Sequence, residues 1–212
     1  PNGAGKTTLF NLLSGALRPD AGRILLAGAD VTRERPDARA RRGLARSFQR
    51  NNLYPEMTVA AALMTAAAIA AGSTAVFWRR FDRDAALVSR AAELAERVGL
   101  ADQLAAEVRH LAYGAQRQLE VALALAGDPV VLLLDEPTAG MSPEETRAMQ
   151  ALLAGLPAPL TLLVIEHDMD VVFDLAERVT VLDYGAVLLD GTPAEVRGSD
   201  LVRRRYLGER TG

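Results

Sequence analysis

Along the chain the spacing of apolar positions switches repeatedly between helical and extended periods. From Lys6 to Leu17 they fall at Leu9, Phe10, Leu12, Leu13, Ala16 and Leu17, one face of an amphipathic helix that the Arg18-Pro19-Asp20-Ala21-Gly22 turn stops. Short strands are predicted at Ile24 to Ala27 and at Leu44 to Gln49, the second entering a polar stretch, Arg50 to Asn52. A block without strand signals follows: helices at Val59 to Ala71, at Asp84 to Val98 with Ala91, Leu94, Ala95 and Val98 on one face, and after Gly114. The unbroken run Val130 to Leu134, ending on Asp135, reads as a strand buried on both faces of a parallel sheet. Thr161 to Ile165 reads as the next buried strand, and Val179 to Leu182 as the one after.

Helix starts carry their own chemistry. Ser142-Pro143-Glu144-Glu145 supplies an N-cap serine, a proline at the first helical position and a glutamate placed to close a capping box. Thr192-Pro193-Ala194-Glu195 repeats the pattern, and Asp168 caps a helix carrying Met169, Val172, Phe173 and Ala176. The sum is an α/β fold with a mostly parallel sheet and an inserted all-helical lobe. Residues 1–50 and 128–212 make the sheet-bearing lobe, and 51–127 the helical one.

The composition narrows the function classes. With 212 residues, 50% hydrophobic and 24% charged, the chain can bury one domain or two small lobes. The absence of cysteine excludes disulfides and thiolate metal sites and, with no secretory signal, fits a reducing, cytosolic setting. Two histidines leave little scope for a histidine-built metal centre. A net charge of −3 gives no basic footprint, and the arginine clusters at 33–46 and 203–205 read as solvated faces, so no nucleic-acid partner is expected. Thr58 to Trp78 is uncharged but alanine-rich, with Thr65, Gly72, Ser73 and Thr74; it reads as a buried or partner-facing helix and turn, not a membrane span.

Chemistry concentrates at three places. The opening Pro1-Asn2-Gly3-Ala4-Gly5-Lys6-Thr7-Thr8 has the spacing in which backbone N–H groups wrap a phosphate, a lysine reaches the β and γ oxygens, and a hydroxyl meets Mg²⁺ at a helix start. Asp135 and Glu136 stand at the carboxyl end of a buried strand, where open α/β sheets bind ligands; Asp135 can hold Mg²⁺ and Glu136 can orient or deprotonate a water. His167 lies just past another strand end, a place more often taken by a core or helix-start residue, and Gln49 has less support on its own.

Taken in order, PNGAGKTT, Gln49, LAYGAQRQLEVALALAGDP, LLLDEPTAGMSPEE and VIEHDM resemble the ATP-binding subunit of an ABC transporter over essentially the whole chain. LAYGAQ, EHDM, the segment Phe77-Trp78-Arg79-Arg80 and Arg205-Tyr206-Leu207-Gly208-Glu209 are similar to the branched-chain amino-acid importer ATPases. The resemblance implies a P-loop NTPase fold of RecA-like type, lacking its N-terminal strands because the opening loop has no first glycine. It implies ATP and Mg²⁺ as cofactors, with Asn2, Gly3, Ala4, Gly5, Lys6, Thr7 and Thr8 on the phosphates and Thr7, Gln49 and Asp135 around the metal. Glu136 would be the general base and His167 the γ-phosphate sensor. A second ATP-binding subunit would contribute Ala112, Tyr113, Gly114 and Ala115 across a head-to-tail dimer.

Two positions depart from the superfamily pattern: Ala112 replaces the signature serine, and Ser142 replaces an aspartate. The resemblance further implies membrane permease subunits as partners, a substrate-binding protein acting indirectly, and residence at the cytoplasmic face of the inner membrane. Val59 to Trp78 is the candidate permease-facing surface, with simple packing inside the helical lobe as its equal alternative. Two other readings stand beside transport: a cassette ATPase serving another process, and a fragment that folds without useful nucleotide binding.

Overall fold

The computed structural model describes residues 3–47, 53–72 and 84–206. Helix α1 (Lys6–Ser14) begins directly at Gly5, and the chain leaves it at Gly15, whose φ of 81° is left-handed. The helix therefore ends three residues before the Leu17 that periodicity predicts, and the Leu17 N–H bonds back to the Asn11 carbonyl at 2.9 Å. Strand β1 (Leu25–Leu26) pairs antiparallel with β2 (Ala29–Asp30), which sequence reading did not foresee. Their link, Ala27-Gly28, has positive φ at both residues (47° and 82°), the requirement of a tight primed turn. The short helix α2 (Pro36–Arg41), also unforeseen, leads into β3 (Leu44–Arg46).

The helical block is α3 (Val59–Ala70), α4 (Ala85–Arg97) and α5 (Tyr113–Leu125). Thr58 caps α3 by accepting from the Ala61 N–H at 3.2 Å, and Asp84 caps α4. Val59, Leu63, Leu94, Leu119 and Ala122 of this block form one continuous core with Leu132 and Leu134 of β4 (Val131–Asp135) and Met149 and Leu153 of α6 (Pro143–Ala154). Packing of this kind accounts for the buried side of α3, while Ile69 points outward, 62% exposed. Among the described residues no helix is long and apolar enough to cross a membrane. The Phe77-Trp78-Arg79-Arg80 segment lies outside the described residues.

The parallel sheet runs β3-β4-β5, with β5 at Thr161–Ile165. Strand β4 is central and buried on both faces: Leu132 and Leu134 face the helical core, while Leu133 packs with Phe10 of α1 and Ile165. The predicted burial of β5 holds in part. Leu162 and Val164 pack against the large core and Ile165 is buried with Leu133, but Leu163 is 39% exposed and Thr161 is open to solvent.

Beyond α7 (Met169–Leu175), strand β6 (Val179–Asp183) pairs antiparallel with β7 (Ala186–Gly191), and α8 (Pro193–Gly198) and α9 (Asp200–Tyr206) close the described chain. The predicted caps are all present: Ser142 and Thr192 close full capping boxes, and Asp168 accepts from the Asp170 and Val171 N–H groups.

The arginine cluster at 33–46 is not uniformly solvated. Arg35, Arg41 and Arg42 make exposed ion pairs with Asp37 and Glu34, as a surface cluster should. Arg39, however, is only 1% exposed. Its Nη1 donates to the carbonyls of Leu12 and Leu13, both at 2.6 Å, Nη2 to Thr32 at 3.0 Å and Nε to Glu34 at 3.2 Å. The Leu12 carbonyl also accepts from the Gly15 N–H at 3.2 Å, so the guanidinium adds to the turn's own bond there, serves Leu13 as well, and ties α1 to the segment before α2. A side chain at Gly15 would meet Arg39 Nε at 3.0 Å.

Replacing Arg39 with methionine keeps much of the volume but removes the guanidinium bonds to Leu12, Leu13, Thr32 and Glu34; we expect a loss of about 2–4 kcal/mol in unfolding free energy, measured by urea denaturation.

Candidate active site

Three chain segments converge at the carboxyl end of the parallel sheet. The first is the loop into α1. Gly3 and Gly5 have φ of 80° and 97°, conformations that strain any other residue, and they turn the backbone so that it enters α1 at Lys6. Ala4 is buried, and its carbonyl accepts from the Gly185 N–H at 2.9 Å, so the turn between β6 and β7 braces the loop. Added bulk at Gly5 would meet the Gly185 backbone at 3.2 Å. Thr7 and Thr8 are exposed at the first turn of α1, where helix N–H groups and the helix dipole favour an anion.

The second segment is the end of β4. Asp135 is 3% exposed and neither carboxylate oxygen has a hydrogen-bond donor. Arg46 of β3 holds one guanidinium nitrogen 3.7 Å from Asp135 Oδ2 while its Nη1 donates to Asn11 Oδ1 at 2.7 Å and Ser14 Oγ at 3.2 Å. Burial raises the Asp135 pKa above its ordinary value against the pull of Arg46 and Lys6, with Glu136 and Glu166 adding repulsion. Next in the chain, Glu136 has a φ of 49°, uncommon for a residue other than glycine, and its N–H donates to the Ile165 carbonyl at 2.8 Å.

The third segment follows β5. Glu166 is buried and accepts from the Thr138 N–H at 3.0 Å and the Thr138 hydroxyl at 2.6 Å, pinning the loop after Glu136. His167 is largely exposed, with Nδ1 3.7 Å from Glu136 Oε1 and 3.9 Å from Glu166 Oε2. His167 therefore sits at the site beside Glu136, where sequence alone left a helix-start role as the more frequent outcome.

The arrangement suits phosphate chemistry with a divalent cation. Among the described residues no three His, Asp or Glu side chains form a metal-holding group. Asp135 still offers two buried oxygens without donors, within the electrostatic reach of Lys6 at the start of α1, which fits a cation that takes its other ligands from phosphates and water.

Ala112, Tyr113, Gly114 and Ala115 stand apart from this loop, at the start of α5. Ala112 is the N-cap and has no side-chain cap bond. The Gly114 N–H donates to Glu145 Oε1 at 3.0 Å. Bonds from Ser142 above all, then this one, hold the Glu145 pKa below the usual carboxylate range. Asn2 and Gln49 lie outside the described residues. Sequence reading missed Glu166, whose one signal was its place at a strand end next to His167, and read Arg46 as part of the solvated 33–46 cluster, whereas its side chain is 14% exposed and turned to Asp135.

The ABC transporter family pattern matches residues 1–139, and the chain belongs to that family: it is an ATP-binding cassette protein, an ATPase. It is 40% identical to the "High-affinity branched-chain amino acid transport ATP-binding protein LivG" of Escherichia coli, over 99% of this chain and 85% of the relative. The same identity and shares hold for BraF of Pseudomonas aeruginosa, whose name is otherwise the same. A crystal structure of an ATP-binding cassette of an ABC transporter, in its ADP conformation, matches with a TM-score of 0.86 and 28% identity, over 99% of this chain and 85% of that one.

An acid with a raised pKa is stabilised by protonation, so at neutral pH the ionised Asp135 weakens the ligand-free fold. Asp135→Asn is expected to raise the melting temperature of the nucleotide-free protein at pH 7. The gap should close as the pH falls toward 3.8, in a series of thermal melts across pH.

Proposed function

We propose that this chain is the ATP-hydrolysing subunit of an importer for branched-chain or other amino acids, coupling its cycle to membrane permease subunits. The observation that carries the reading is the convergence of the Gly3-to-Thr8 loop, Asp135, Glu136 and His167 at one end of a parallel sheet, together with the 40% identity to LivG and BraF.

On this reading the backbone of Asn2, Gly3, Ala4 and Gly5, with Lys6, Thr7 and Thr8, binds the ATP phosphates. Thr7, Gln49 and Asp135 would hold Mg²⁺. When bound, the cation neutralises charge on the transferring phosphoryl group. Glu136 then orients and accepts a proton from the attacking water, while His167, beside it, contacts the γ-phosphate and senses its loss. Charge and position supply most of the acceleration in such chemistry, so the buried setting of Asp135 belongs to the mechanism.

The chain's own partner would be a second ATP-binding subunit, its own copy or a relative, whose Ala112, Tyr113, Gly114 and Ala115 close over the nucleotide. Residues 1–50 and 128–212 act as the nucleotide-binding lobe and 51–127 as the lobe that meets the permease, with the outward side of α3 around Ile69 as a contact. A substrate-binding protein would deliver cargo on the far side, and the chain would work peripherally at the cytoplasmic face of the inner membrane. Substrate choice lies with the other components.

Glu136→Gln is expected to retain ATP binding and accumulate a closed dimer while turnover falls about 100-fold or more. Lys6→Ala is expected to lose ATP binding. Equilibrium nucleotide binding, size-exclusion chromatography and phosphate release measure the three effects; parental turnover in the glutamine variant would remove Glu136 from the role of base.

A further inference from the structure

The loop that follows Glu136 is held by the start of α5 in the same chain. Glu136 adopts a left-handed φ of 49°, and a non-glycine residue keeps such a conformation only where its surroundings impose it. On one side Glu166 fixes Thr138. On the other, the Ala139 N–H donates to the Glu136 carbonyl at 3.1 Å, and the Ala139 carbonyl accepts from the Tyr113 hydroxyl at 3.0 Å.

That hydroxyl is itself oriented. Arg117 Nε donates to the Tyr113 oxygen at 3.1 Å, which leaves the hydroxyl proton for Ala139. Arg117 is fixed in turn by Glu120 at 2.9 Å, with both side chains almost buried. The Tyr113 ring lies 3.4–3.6 Å from the Cβ position of Gly140, whose φ of 78° bends the loop around it. Further along, Glu145 grips Ser142 N at 2.9 Å with one oxygen and Gly114 N at 3.0 Å with the other.

We infer that Tyr113 is a positioning residue for Glu136 of its own chain, acting through its hydroxyl bond to Ala139. The signature segment and the loop of the catalytic carboxylate then form one mechanical unit within a single subunit. Closure against the signature of one subunit is felt at that subunit's own Glu136 as well as at the opposite nucleotide. This rests on Glu136 being the base.

The test is Tyr113→Phe, which keeps the ring against Gly140 and the Arg117 guanidinium over it at 5.4 Å, and removes only the hydroxyl. In the purified ATPase we expect kcat to fall about fivefold to tenfold, the loss of one oriented hydrogen bond. ATP binding by the isolated subunit, which uses the glycine loop and not the Tyr113 segment, should stay at its parental value, and the melting temperature should fall only by the small amount that partly exposed hydrogen bonds give. Added to Glu136→Gln, the same change should cost no further rate, because the residual reaction no longer depends on where Glu136 stands. Parental kcat in Tyr113→Phe overturns the proposal, as does an equal loss in both backgrounds or a parallel loss of ATP affinity. If Glu136→Gln alone turns over at the parental rate, the reading of Glu136 fails and the positioning role falls with it. A slow Glu136→Gln beside a parental Tyr113→Phe overturns the positioning role alone.

Discussion

The burial of β4 on both faces is the constraint from which the site follows. Leu132 and Leu134 are sealed by the helices on one side and Leu133 by Phe10 of α1 on the other, so the strand's carboxyl end emerges from the protein interior with little water around it. Asp135 ends the strand there with two oxygens lacking donors, a condition that would be hard to tolerate without Arg46 nearby. The parallel pairing with β3 and β5 then delivers Arg46 and, just beyond Ile165, Glu166 and His167 to the same end. Helix α1 packs on the outer face of the strand it serves, which fixes the glycine loop relative to the acids.

The helical block shares that constraint. Its apolar side chains continue the core of β4 and α6 without a break, so the start of α5 is tied to the sheet by packing as well as by the Tyr113 and Glu145 bonds. A hydroxyl and a carboxylate placed at the junction give direction to a contact that leucines alone would leave free to slide.

Much of this was legible in the sequence where a local rule acts alone. The run from Val130 to Asp135 reads as a doubly buried strand, as it is from Leu132 on, while Val131 is partly buried and Val130 exposed. The Ser142-Pro143 and Thr192-Pro193 patterns, each with its glutamate, named the starts of α6 and α8 because capping chemistry is local. What stayed hidden depends on partners distant in the chain. Leu163 is as apolar as Leu132, and nothing within five residues tells which of them lacks a covering layer. Arg39 looked like its solvated neighbours because two of its acceptors are the Leu12 and Leu13 carbonyls of α1, 27 and 26 residues away with a hairpin between. His167 beside Glu136 and Arg46 beside Asp135 are likewise products of strand register, which periodicity does not encode.

The bond from Gly185 to Ala4 joins residues separated by almost the whole chain. A ribosome delivers Gly185 only after the helices and strands that lie between it and Ala4, so the nascent glycine loop has no brace while they are made. Local contacts of α1 can form early, but this closure must wait, as contacts of long sequence separation do. The glycine loop thus gains this brace only after the helices and strands between the two residues have been synthesised.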